Sequence, residues 1–167
     1  MEIRPCQPDD AAAFLNLLRR LDSETQFMML ESGERTTTVD EQRQKLEQLA
    51  ISEDECVFLA MDDNLAVGYV QGSRLPFRRA RHTLYLVIGV ARSHWGQGLG
   101  RKLLAATEAW AAAVGVTRLE LTVMATNERA VALYQRCGFE VEGRRRQAMR
   151  VDSSYVDELY MGKLLPA

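Results

Sequence analysis

The chain has 167 residues, 47% hydrophobic and 26% charged, an ordinary globular composition that predicts one domain over 1–167 and excludes intrinsic disorder. No apolar run nears the ~18 residues of a membrane span, Met1–Pro5 opens without a signal core, and Cys6, Cys56 and Cys137 form no C-x-x-C pair; these features predict a cytoplasmic protein with no membrane association, disulfide framework or cysteine zinc site. The net charge of −2 conceals a gradient, since residues 1–63 hold 15 acidic and 6 basic side chains and residues 64–167 hold 8 and 15. Such a division fits ends that face differently charged ligands, and equally two solvated surfaces.

Ile3–Pro5 reads as a short strand stopped by Pro5 and Pro8. Asp9 or Asp10 then caps a helix with Phe14, Leu17, Leu18 and Leu21 at helical spacing. Residues 22–39 lose periodicity and read as a loop or broken helix, after which Asp40 caps a second helix through about Ala50. Cys56–Met61 and Leu65–Gln71 flank the turn Asp62-Asp63-Asn64 as a hairpin. Arg81–Ala91 is a strand apolar on both faces, as in a sheet interior, with Gly89 marking a bulge or a close backbone approach. A helix runs from Leu99 to about Val114, a strand over Thr117–Met124 and a short helix over Glu128–Cys137 ended by Gly138. Phe139–Met149 and Tyr155–Lys163 close the chain as strands. The order is β-α-α-β-β-β-α-β-α-β-β, an α/β unit without repeats or linkers.

The most informative stretch is Arg92-Ser93-His94-Trp95-Gly96-Gln97-Gly98-Leu99-Gly100-Arg101. Alternating glycines between a buried strand and a helix let the backbone aim successive N–H groups at one spot, where the helix macrodipole adds its pull. That is an anion cradle, best suited to phosphate, and Arg101 and Lys102 add charge. Two familiar phosphate motifs fail on spacing. The dinucleotide fingerprint needs its third glycine one residue later, and the P-loop needs G-K-[ST] where this chain has Gly100-Arg101-Lys102.

The segment Val90-x-x-x-x-Trp95-Gly96-Gln97-Gly98-Leu99-Gly100 resembles the acyl-CoA pyrophosphate loop of the GCN5-related N-acetyltransferases, with Trp95 in place of the customary Arg or Gln. Thr126-Asn127-x-x-Ala130-x-x-Leu133-Tyr134-x-x-Cys137-Gly138-Phe139 resembles the family's second signature, and Asp157–Met161 its last strand. The resemblance covers residues 55–164 well and residues 1–54 in outline. It implies a mixed, mostly antiparallel twisted sheet of six to seven strands flanked by about four helices, with a bulge that splays the central strands. It also implies an acetyl-CoA-dependent N-acetyltransferase acting on a small-molecule, protein or peptide amine, without a metal and with homodimers common.

Carried onto this chain, the resemblance has Ile88, Gly89 and Val90 lining the pantetheine arm, with Gly89 at the bulge and Val90 N–H on the thioester carbonyl. The loop Trp95, Gly96, Gln97, Gly98, Leu99, Gly100 and Arg101 takes the pyrophosphate. Tyr134 matches the general acid that protonates the departing thiolate; a phenol of pKa near ~10 is still protonated at neutral pH, unlike a carboxylic acid. Its alternative is ring packing. Asn127 matches a pantetheine contact and is also an ordinary helix cap. Strand residues Leu84–Val90 offer no carboxylate where many members carry glutamate. Glu31 and Glu34, in the loop that shapes the acceptor pocket in the family, are candidates to attract an ammonium group. Glu120, His82 and His94 remain candidates for the base, as does a water chain. Arg74, Arg78, Arg79 and Arg81, and Arg144–Arg146, read as solvated loops rather than a nucleic-acid surface, with a cofactor phosphate contact as the minority reading. The different-class alternative is a non-catalytic acyl-CoA-binding sensor.

Overall fold

The computed structural model describes residues 1–166, and its strands form one seven-stranded sheet. β1 (Glu2–Pro5), β2 (Glu55–Asp62), β3 (Leu65–Arg74) and β4 (Thr83–Val90) pair antiparallel in that order. β5 (Arg118–Met124) joins β4 in parallel, and β7 (Ser154–Leu164) lies between β5 and β6 (Glu140–Val151). Four helices complete the unit: α1 (Ala11–Glu24), α2 (Val39–Ala50), α3 (Leu99–Ala113) and α4 (Glu128–Arg136). The α/β element order read from the sequence, and the mixed, mostly antiparallel sheet that the resemblance implies, are the ones observed.

Two helix starts differ from expectation. α2 is capped by Thr38, whose hydroxyl accepts from Glu41 N–H while the Glu41 carboxylate accepts from Thr38 N–H. This reciprocal pair satisfies two terminal donors, and Asp40 sits inside the first turn instead. At α1, Asp10 occupies the cap position without a capping bond, because its carboxylate accepts from Gln7 N–H and from Nη1 and Nη2 of Arg4.

Each helix pair buries a different face of the sheet. Phe14, Leu17, Leu18 and Leu21 of α1 and Leu46 of α2 pack on Val57, Leu59, Met61 and Tyr69. On the opposite face Leu104, Ala111 and Tyr134 pack with Leu84, Leu86, Leu119, Leu121 and Val123, and Leu99 and Leu103 with Ala60, Val67 and Val70. Each fully buried leucine contributes about 1.5–3 kcal/mol. The cluster beneath α1 and α2 contains no residue of β5, β6 or β7, so those strands present a helix-free area on the α1 face.

The three cysteines are free. Burial pushes the Cys6 and Cys56 thiols up to about 12. Among the described residues no helix is long and apolar enough to cross a membrane.

Candidate active site

The site begins where β4 and β5 part. Their pairing covers only Thr83 with Arg118, Leu84 with Leu119 and Tyr85 with Glu120. Ala91 N–H donates to Val67 O at 2.8 Å and Leu75 N–H to Thr83 O at 3.2 Å, one at each end of the β3–β4 ladder. Antiparallel alternation therefore turns the backbone groups of Tyr85, Val87 and Gly89 toward β3, and those of Leu86, Ile88 and Val90 into the gap. On the other bank, Leu165 N–H donates to Thr117 O and Ala125 N–H to Asp157 O, both at 2.8 Å. The same alternation turns Thr122 and Met124 toward β4. Two rows of backbone donors and acceptors thus face each other across a slot suited to an extended, amide-bearing chain.

The splay expected from the sequence is present, but β4 carries no bulge at Gly89. Its register with β3 is unbroken through Gly89, and the nearby register shift lies between β2 and β3 at Ala60/Met61. Gly89 answers a packing demand: a Cβ there would meet Leu21 Cδ1 at 2.8 Å and Tyr69 Cε1 at 3.1 Å.

The three loop glycines serve two ends. Gly96 and Gly98 both have φ of +75°, which L side chains rarely adopt, and a Cβ on either would meet nothing within 4 Å. Gly100 is needed for contact, since its Cβ would lie 2.6 Å from Leu133 Cδ2 of α4. Gly98 caps α3 without a side chain, and the first intrahelical bond there is Lys102 N–H to Gly98 O. The amides of Leu99, Gly100 and Arg101 stay uncapped at the positive end of the helix, with no acidic residue in the first turn. Gln97 and Arg101 are exposed.

Trp95 is tied in by its side chain. Its Nε1–H donates to Val90 O at 2.7 Å, and the Arg129 guanidinium lies 4.5 Å from its ring centroid. The Val90 carbonyl is thereby occupied while its N–H faces the gap. α1 is sewn to the same segment: Glu24 accepts Arg92 N–H at 2.9 Å, and Arg20 donates to Ser93 Oγ at 2.9 Å.

Tyr134 is 6% exposed and packs on Phe139, with ring centroids 5.8 Å apart. Burial pushes its phenol above the ordinary tyrosine range, with nearby Tyr69 and Tyr85 adding to the effect. The hydroxyl makes no hydrogen bond among the described residues and is not sealed from solvent. Asn127 is the cap of α4, its Oδ1 accepting Ala130 N–H at 3.3 Å. Across the closed end of the gap, the Tyr85 and Thr122 hydroxyls meet at 2.9 Å.

The remaining candidates are scattered. Glu31 and Glu34 are exposed in one turn, where the Glu34 carboxylate accepts Glu31 N–H at 2.8 Å. Glu120 stands at the closed end and pairs with Arg118, which also holds Glu142. His82 is exposed beside that end, and His94 is engaged by Asp62 and Ser93. Arg74 donates to Arg81 O and Val114 O, and Arg81 pairs with Asp54; these two arginines are structural. Sequence reading missed the gap-facing backbone of Leu86, Thr122 and Met124. Backbone direction follows from hydrogen-bond phase, for which side-chain identity carries no signal.

A split sheet with a glycine-turned helix start beside the split defines an acyltransferase fold, and comparison agrees: the Acetyltransferase (GNAT) family matches residues 16–139, and the chain belongs to that family. Among solved structures it is similar to the acetyltransferase of GNAT family from Streptococcus pneumoniae, with a TM-score of 0.93, 34% identity and 99% of each chain covered. It shares the fold of yncA from Salmonella typhimurium, a putative acetyltransferase solved with its cofactor acetyl-CoA, at a TM-score of 0.87, 23% identity, and coverage of 100% of this chain and 95% of that one. The N-alpha-acetyltransferase RimI of Mycobacterium tuberculosis is 40% identical over 92 residues, which are 53% of this chain and 54% of that protein. The chain thus spans about half the length of that relative.

Proposed function

We propose that this protein is an acetyl-CoA-dependent N-acetyltransferase that passes an acetyl group directly to a primary amine. The observation that carries the reading is the β4–β5 slot, with Val90 N–H at its wide end and the uncapped amides of α3 alongside. Acetyl-CoA supplies the activated acyl group. The amides of Leu99, Gly100 and Arg101 hold its pyrophosphate, with Arg101 adding charge. The backbone of Leu86, Ile88 and Thr122 pairs with the pantetheine amides as a strand would. Val90 N–H donates to the carbonyl oxygen as negative charge builds there, an interaction strengthened by exclusion of water. Tyr134, kept neutral by burial, gives its proton to the departing thiolate. Asn127 fixes the start of the helix that carries Tyr134.

The acceptor is an amine of a small molecule, peptide or protein. The names of RimI and of the L-amino acid N-acetyltransferase AaaT of Escherichia coli, 33% identical over 66 residues, make α-amines the first to try. The reading includes one catalytic unit over 1–167, a cytoplasmic location, no nucleic-acid or membrane partner, and assembly as a homodimer. The test is thiol release from acetyl-CoA with amino acids, peptides, polyamines and aminoglycosides. Transfer to at least one amine is expected; tight acetyl-CoA binding with no transfer to any would make the protein a sensor instead.

A further inference from the structure

We propose that Glu158 is the acceptor-binding carboxylate of this site: it receives the ammonium group of a cationic primary amine and takes a proton from it as the nitrogen turns to the thioester. The inference rests on the transferase reading above and deepens it.

Glu158 stands beside the reacting end of the gap. On β7, Glu158 stands opposite Met124 and Tyr160 opposite Thr122, and directly opposed residues share a face of the sheet. The Thr122 hydroxyl meets that of Tyr85, and Tyr85 shares its face with Gly89, whose Cβ direction points at Leu21 of α1. Glu158 therefore lies on the α1 face, opposite the α3–α4 face that carries the pyrophosphate loop. Since Tyr85 is level with Glu120, Gly89 is level with Met124, both about 13 Å farther along their strands at ~3.3 Å per residue. Glu158 sits beside Met124, level with the end of β4 where Val90 N–H enters the gap.

Glu158 is 6% exposed, and a buried carboxylate needs a cation. Among the described residues its ion pair is a single contact, Arg145 Nη1 to Oε1 at 3.2 Å, from an arginine side chain that is 45% exposed. Oε2 accepts no hydrogen bond among the described residues and is not sealed from solvent. The structural carboxylates differ: Asp22 is held by Arg35 at 2.7 and 3.1 Å, and Glu142 by Arg118 at 3.0 and 2.6 Å. Glu120 also has one contact, yet it stands at the closed end of the gap. Above this face, Gln26 of the α1–α2 loop donates to Asp152 at the tip of the β6–β7 hairpin, bringing loop and hairpin together.

In the reaction the ammonium gives one proton to Glu158, the freed lone pair forms the C–N bond, and the C–S bond breaks. The nitrogen loses a second proton as the amide forms, and the thiolate takes one from Tyr134. One of the two nitrogen protons restores the tyrosine and the other goes to solvent, so one proton is released per turnover.

The experiment measures thiol release from acetyl-CoA with alanine-initiated peptides, amino acid amides and polyamines for the parent, Glu158→Gln and Arg145→Ala, with acetyl-CoA affinity by calorimetry. Glu158→Gln is expected to lower kcat/KM for the best amine by about 100-fold or more with acetyl-CoA affinity unchanged. Arg145→Ala, which frees the carboxylate, is expected to lower the KM for the amine. A merely structural pair would register its loss in Tm and not as opposite changes in the amine kinetics of the two variants. The assignment is overturned if Glu158→Gln keeps the parent kcat/KM, or if Arg145→Ala raises the amine KM. Arg145 is exposed, so that arm decides even if Gln at 158 unfolds the chain. A parent that binds acetyl-CoA and transfers to no amine overturns the transferase reading and this assignment together; an active parent with an unchanged Glu158→Gln overturns this assignment alone.

Discussion

The two faces of the sheet meet at the β4–β5 gap and are built in opposite ways. On the α3–α4 face the working groups come from short stretches of chain. Gly96 to Arg101 and Asn127 to Tyr134 each lie within one turn-and-helix unit, and most of the donors are backbone amides. On the α1 face the polar groups are side chains from distant segments: Tyr85 with Thr122, Asp22 with Arg35, Glu158 with Arg145. The amide cradle on the first face tolerates side-chain replacement as long as Gly96 and Gly98 keep their positive φ and Gly100 its contact with Leu133, and Tyr134 is the side chain there that cannot be exchanged. A face made of paired side chains changes with each one, which suits the α3–α4 side to an invariant cosubstrate and the α1 side to a selected acceptor.

Substitutions can break that contrast. The largest expected effect is Tyr134→Phe, which should slow acetyl transfer by about 10²–10⁴-fold while acetyl-CoA affinity is unchanged. Stopped-flow thiol release and calorimetry separate the two. Because burial holds the phenol protonated, the alkaline fall in the parent rate should lie above the ordinary tyrosine value near ~10; a loss near neutrality would assign the acid elsewhere. Next, Asp22→Ala leaves the partly buried Arg35 without its carboxylate and should destabilise the fold by about 3–5 kcal/mol in urea. An unchanged midpoint would show that the pair does not anchor the acceptor-side loop.

On the α3–α4 face, Gly98→Val places a branched side chain at positive φ and should cost about 1–2 kcal/mol, read as weaker acetyl-CoA binding or a lower Tm. Trp95→Phe removes the bond to Val90 O and should cost about 1 kcal/mol, again read in acetyl-CoA affinity rather than amine KM. The smallest effect belongs to Glu31→Gln with Glu34→Gln. These exposed charges should raise the KM of a cationic amine by only about twofold, with acetyl-CoA unaffected. A larger rise would move the acceptor's anionic partner from the strand to the loop.

The charge gradient along the chain corresponds only in part to this division. The acidic residues 1–63 supply Asp22 and the exposed Glu31 and Glu34, but Glu120, Glu142 and Glu158 on the same face come from the basic portion. Chain order and face differ because β5 and β7, although late in sequence, each turn one side to the sheet face that carries α1 and the other to α3 and α4. The place of Gly89 in an apolar strand marks it as special, yet whether it serves a bulge or a close approach depends on Leu21, 68 residues earlier.

The sequence by itself determined the order of elements, the glycine turn before α3, the Asn127–Tyr134 helix and membership of the family, because each is encoded in local spacing: apolar periodicity, positive-φ glycines and caps act within a few residues. Only the tertiary structure decided how far β4 and β5 stay paired, which backbone amides open into the gap, that Glu31 and Glu34 are exposed and that Glu158 is buried level with Val90. Those features arise where strands far apart in sequence come into register, and register is fixed by the packing of two whole helix pairs on opposite faces of one sheet.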